Sequence, residues 1–138
     1  MLSFGREIIL PEGLEKAKNP HYDTNCRFDF SVFGEKCDYF IARSIWTHSS
    51  RQQITTCLDQ FVHNRRPEGK LLVSYLPSSA EFPPYMGDAW LGISAESITE
   101  GYAFHPLPWL TQICHERGLQ LTELDQYTFN LQRWLEIG

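Results

Sequence analysis

The chain has 138 residues, 42% of them hydrophobic and 14% aromatic, enough for one domain with a packed core and unlike a disordered or fibrous chain. Its formal charge of −5 speaks against a nucleic-acid surface, which needs clustered Lys and Arg; the densest cationic pair, Arg65-Arg66, suits a solvated helix end. No apolar run approaches the roughly 18 residues of a membrane span, and Met1–Glu7 lacks a signal-peptide layout, so a cytoplasmic protein with no membrane partner is expected.

In chain order, Phe4–Leu10 and Glu12–Ala17 have helical composition, broken between them by Pro11. His21–Phe28 is a polar strand candidate, weakened by Asp23 and Asn25. Phe28, Phe30 and Phe33 then alternate with polar residues before a turn at Gly34-Glu35-Lys36. Cys37–Ala42 is the clearest strand, and it runs into a polar, aromatic stretch ending at His48. In an open α/β sheet ligands bind beyond the carboxyl ends of strands, so chemistry is expected here.

Ser50 with Gln53 fits a capping box, and Ile54, Cys57, Leu58, Phe61 and Val62 recur at helical spacing behind it. Pro67-Glu68-Gly69 is expected to stop that helix, and Lys70–Leu76 to form a second strand. Strand, helix and strand over this distance imply a parallel crossover. Residues 77–102 are punctuated by Pro and Gly yet carry Tyr85, Met86 and Trp90, the composition of a lid or substrate loop rather than of a disordered tract. Pro108 opens a further helix with a buried stripe of Leu110, Ile113 and Cys114, and Gly118 is its expected C-cap. Leu119–Leu124 and Phe129–Ile137 read as antiparallel strands joined by a turn at Asp125-Gln126. Cys57 and Cys114 lie on apolar helix faces and Cys26 and Cys37 have no ligand spacing, so free thiols and no metal site are expected.

The residues Phe28-Asp29-Phe30-Ser31-x-Phe33-Gly34, Asp38-Tyr39-x-x-Ala42-x-Ser44-x-x-Thr47-His48, Pro67-x-Gly69-Lys70, Trp109-Leu110 with Gly118-Leu119, and Gln132-Arg133-Trp134-Leu135 occur in that order. Together they resemble the C-terminal two thirds of a class I S-adenosylmethionine-dependent methyltransferase. The resemblance implies an α/β, Rossmann-like sheet of order 3-2-1-4-5-7-6 with an antiparallel seventh strand. His21–Phe28 would be strand three, Cys37–Ala42 strand four, Lys70–Leu76 strand five, and the last two strands six and seven. Strands one and two have no counterpart: no two of the nine glycines stand at the G-x-G spacing of the family's cofactor turn. The expectation is therefore a single, partial methyltransferase domain over 1–138, with strand four left as an unpaired apolar edge open to a second copy or a partner chain.

The same resemblance implies S-adenosylmethionine as cofactor, Asp29 beside the adenine amino group, Phe30 beside its ring, and Ala42 and Ser44 along the methionine side. His48 is the candidate catalytic base, since an imidazole accepts a proton near neutral pH. Placed before a helix N-cap, it could equally serve local hydrogen bonding. Trp46, Tyr85, Trp90 and His105 are candidate substrate-binding residues, with Tyr102 beside them. The expected reaction is methyl transfer to an O or N nucleophile of a small-molecule acceptor, impaired in the isolated chain. The alternative is a non-catalytic, methyltransferase-like module that pairs with a partner.

Overall fold

The computed structural model describes residues 17–93, 100–129 and 131–138. The helical stretch Phe4–Leu10 and all but the last residue of Glu12–Ala17 fall outside them. The first element is β1, Cys37–Ala42, followed by α1, Arg51–Asn64, and β2, Arg65–Pro77. A two-residue β3, Phe104–His105, precedes α2, Leu107–His115, and the chain closes on β4, Leu121–Phe129, and β5, Gln132–Ile137. The sheet order is β1-β2-β5-β4, with β3 paired to the far end of β2. β1 runs parallel to β2, whereas β5 is antiparallel to both β2 and β4. In the family's numbering this is 4-5-7-6, as expected from the sequence.

Local chemistry explains most element ends. Ser50 and Gln53 form the reciprocal capping box at the start of α1, and Ile54, Cys57, Leu58 and Phe61 make its buried stripe. Val62, placed on that stripe by sequence, is 38% exposed because it sits at the margin of the apolar face. α1 ends at Asn64 rather than at Pro67: Asn64 Nδ2 donates to the Gln60 carbonyl at 2.8 Å, and the residue before a proline is steered out of helical geometry. Arg65 to Gly69 instead begin β2, where the register with β1 slips between Cys37 and Tyr39. Gly69 is required there, since a Cβ would stand 2.9 Å from Arg65 Cβ and 3.0 Å from the Cys37 carbonyl oxygen. In α2 the expected stripe of Leu110, Ile113 and Cys114 is buried, and Gly118 adopts a left-handed φ of 68° just beyond it.

Two expected elements are corrected. His21–Phe28 is not a strand: the Asn25 N–H donates to Asp23 Oδ1 at 2.6 Å and the Arg27 N–H to Asn25 Oδ1 at 2.8 Å, so side chains take the donors a sheet would use. The turn placed at Asp125-Gln126 lies inside β4. Leu124 pairs with Trp134 and Thr128 with Arg133, which makes residues 125–127 a bulge, and a bulge accommodates polar residues as readily as a turn does. The reversal falls later, between Phe129 and Gln132, which pair with each other, and includes Leu131, whose φ is 64°.

The core joins α1, α2 and the sheet through Trp46, Phe61, Leu71, Val73, Tyr75, Leu110, Leu135 and Ile137. Tyr75 donates its hydroxyl to Glu123 Oε1 at 2.6 Å, and Arg133 pairs with the other carboxylate oxygen at 3.1 Å. Burial and the adjacent Glu123 charge both raise the Tyr75 pKa. Among the described residues β1 has β2 as its one strand neighbour, and its Tyr39 and Ile41 are 69% and 71% exposed. The Arg66–Asp38 ion pair beside it, at 2.9 Å, is solvent-exposed and adds little stability.

Candidate functional site

At the carboxyl end of β1 the chain turns through Ser44, which holds a left-handed φ of 57°, a conformation costing roughly 1–2 kcal/mol for a residue with a Cβ. The Ser44 N–H donates to Ser74 Oγ at 2.7 Å, Ser74 Oγ donates to Gln132 Oε1 at 2.8 Å, and Gln132 Nε2 donates back to Ser44 Oγ at 3.0 Å. The loop beyond is closed by the Ile45 carbonyl, which accepts from the His48 N–H at 3.1 Å and from Ser49 Oγ at 2.9 Å. Trp46 is fully buried in the core with Cys57, whose thiol pKa burial pushes up to about 12. Trp46 therefore anchors the loop in the core and offers no open face to a substrate.

His48 projects from this anchored loop. Its Nδ1 lies 2.8 Å from the Gly101 carbonyl oxygen; a carbonyl only accepts, so Nδ1 carries the proton and Nε2 keeps a lone pair in the neutral ring. The imidazole stacks on Tyr102 at 5.4 Å and 28° and meets Trp90 at 5.7 Å. Gly92 makes that approach possible, since a Cβ there would stand 2.7 Å from Trp90 Nε1 and 3.2 Å from His48 Cγ. Within the 77–102 connection, residues 77–93 are tied down by the backbone bonds Leu91 N–H to His48 O and Tyr85 N–H to Phe104 O, both 2.9 Å. The strand-ward side is held by Ala103 N–H to Thr47 O at 2.8 Å. Tyr85 directs its hydroxyl to the Ala89 carbonyl at 3.0 Å, within its own loop.

His105 has a different character. It is fully buried, its Nε2 lies 3.0 Å from the Ser49 carbonyl oxygen, and its ring packs on Trp109 at 5.5 Å. Burial, reinforced by the Arg51 cation that lies 4.7 Å over Trp109, lowers its pKa to about 4. A neutral, enclosed imidazole of this kind braces the β3 strand against the start of α1.

On the other side of β1 lies an apolar cleft of about 330 Å³, walled by Phe28, Phe30, Phe33, Phe40, Ala42 and Ile45. Phe30 and Phe40 are 5.1 Å apart. Asp29 caps the 3-10 turn Phe30–Phe33: its Oδ1 accepts from the Ser31 N–H at 3.1 Å and from Ser31 Oγ at 2.5 Å. The sequence-selected residues thus fall into two groups. Phe30 and Ala42 share the cleft, Asp29 caps the turn that carries Phe30, and His48, Trp90 and Tyr102 cluster on the loop beyond the strand. Ser44 stands between them with its hydroxyl engaged by Gln132. Sequence reasoning missed Phe40 as a cleft wall, though the alternation along β1 carried the signal for it. It also missed Ser74, Gln132 and the Gly101 carbonyl, which only the three-dimensional contacts single out.

No family model and no curated protein matches the sequence. Solved structures do match in shape. The crystal structure of TnmH aligns with a TM-score of 0.65 at 12% identity, over 99% of this chain and 39% of that one. Magnesium protoporphyrin IX methyltransferase from Synechocystis PCC 6803 with bound SAH aligns at 0.60 and 12% identity, over 99% and 56%. An O-methyltransferase family protein from Burkholderia thailandensis aligns at 0.57 and 14%, over 90% and 38%. The chain has the fold of part of a class I S-adenosylmethionine-dependent methyltransferase. At these identities the likeness is one of fold, and the chain spans between about two fifths and just over half of each of these three structures.

Proposed function

We propose that this chain is the acceptor-side portion of an S-adenosylmethionine-dependent methyltransferase acting on an O or N nucleophile of a small-molecule acceptor. The observation that carries the reading is His48: an imidazole at the carboxyl end of the family's fourth strand, with Nδ1 committed to the Gly101 carbonyl and Nε2 left to accept a proton. Bound S-adenosylmethionine would supply an electrophilic methyl group. The chain would hold the acceptor between the 77–102 connection and the β1 loop, with Trp90 and Tyr102 supplying flat apolar faces, and His48 Nε2 would take the proton that the nucleophile loses.

The fit to the cofactor is partial. Phe30 and Ala42 line an apolar cleft of about 330 Å³, and Asp29, which caps the turn carrying Phe30 through Oδ1, would offer its other carboxylate oxygen to an amino group. The residues for the ribose and the methionine tail have no counterpart among those described. Ser44, expected on the methionine side, has its hydroxyl engaged by Gln132 and its N–H by Ser74, so neither is free to meet a cofactor there. The isolated chain should therefore bind S-adenosylhomocysteine more weakly than micromolar, read by calorimetry; micromolar binding would contradict a partial site.

A second reading is favoured by the exposed Tyr39 and Ile41 on an edge that has no further strand among the described residues. In it the chain is a non-catalytic module whose β1 edge pairs with a partner chain or a second copy. It predicts a dimer or a stable complex by light scattering; a monodisperse monomer that retains no partner counts against it.

A further inference from the structure

Ser44 is a non-glycine residue in the left-handed region at the hinge between β1 and the loop that carries His48. Its N–H and its hydroxyl are both used: the N–H donates to Ser74 Oγ on β2, and the hydroxyl accepts from Nε2 and donates to Oε1 of Gln132, the first residue of β5. The third bond, Ser74 Oγ to Gln132 Oε1, closes a ring in which each hydroxyl both donates and accepts. Three adjacent strands thus meet at one backbone angle. A residue with a Cβ occupies that angle only where its surroundings over-determine it.

We infer that Ser74 and Gln132 are positioning residues: they hold Ser44 in its left-handed turn and thereby set where the following loop presents His48. Neither touches His48. Their effect passes through the backbone, because the Ile45 carbonyl that follows Ser44 accepts from both the His48 N–H and Ser49 Oγ. When the ring is broken, Ser44 is free to relax toward ordinary φ values, the Ile45 carbonyl swings, and His48 leaves the Gly101 carbonyl. The methyltransferase reading supplies the reason His48 matters, but the geometry and its test stand without it.

The test is long-range nitrogen-detected NMR of the His48 ring in the whole chain, with the signal assigned through His48→Gln. In the native protein a single Nδ1–H tautomer is expected. Gln132→Ala should mix the two neutral tautomers and broaden the signal, and Ser74→Ala should do the same to a smaller degree. Ser44→Gly alone should leave the native pattern, because glycine takes a positive φ without help. Placed in the Gln132→Ala background, Ser44→Gly should restore a single tautomer, a rescue that a merely stabilising role for Gln132 does not predict. An unchanged His48 signal in folded Gln132→Ala, or a double variant that folds but keeps mixed tautomers, overturns the inference. Should Gln132→Ala fail to fold, Ser74→Ala alone and with Ser44→Gly decides by the same readings. The outcome is independent of whether S-adenosylhomocysteine binds, so its failure and that of the enzymatic reading are separately visible.

Discussion

The two flanks of β2 are built from similar apolar strands and end up in opposite environments. On one side β5 pairs along Leu71–Tyr75 and β4 continues the sheet, so that Val73 and Leu135 face each other fully buried. On the other side β1 pairs through Tyr39–Ala42, and its own outer edge leaves Ile41 71% exposed. Apolar content alone therefore does not bury a strand: Ile41 pairs with Leu72, on the face opposite Val73, whose own face packs on α1 and α2, and a side chain is buried where its face of the sheet is covered. The flank that has no further strand among the described residues also carries the cleft and leads into the His48 loop.

Substitutions on the two flanks should diverge most. Leu135→Ala opens a cavity at the centre of the sheet and should cost about 3 kcal/mol in denaturant unfolding. Ile41→Ala should cost less than about 0.5 kcal/mol; an equal loss would mean that something covers the β1 edge in solution. The far end of β2, braced through β3 and His105, should show its dependence in pH. His105 is held down to about 4, so the unfolded chain binds the proton first as pH falls. Its contribution is then complete above about 6.5 and lost progressively toward 4, on the order of 3 kcal/mol in all. His105→Gln should flatten that slope in melts recorded across the range.

Smaller effects sharpen the contrast. α1 packs over both flanks, and Ser50→Ala, which removes one half of its capping box, should lower stability by about 1 kcal/mol without changing which flank is exposed. Ile41→Lys should be nearly neutral for folding, yet it should reduce any self-association seen by light scattering, because a charge on an open edge opposes strand addition.

What could be seen in the sequence was local. The box of Ser50 and Gln53, the stripe of α2 and the left-handed Gly118 follow from interactions within a few residues, and Cys37–Ala42 was legible from composition alone. His21–Phe28 misled because Asp23 and Asn25 satisfy backbone donors with their own side chains, which strand patterning does not register. The hairpin was misplaced because Asp125-Gln126 has turn chemistry in a bulge, while the true reversal at Leu131 lacks a glycine. For the site, His48 and Trp90 were visible as residue types in a suggestive place. The bond that fixes the His48 tautomer comes from Gly101, 53 positions away, and the ring that holds Ser44 comes from Gln132, 88 positions away. Trp46 and His105 looked equally suitable and proved to be buried supports, a distinction that depends on packing rather than on residue type.

The most direct test of the account is an amide NMR map of the chain titrated with S-adenosylhomocysteine to millimolar concentration. Weak, saturable shifts concentrated at Phe28–Phe33 and Ala42–His48 are expected. Shifts centred on α2 and the β4–β5 hairpin, or none at the β1 end, would contradict it.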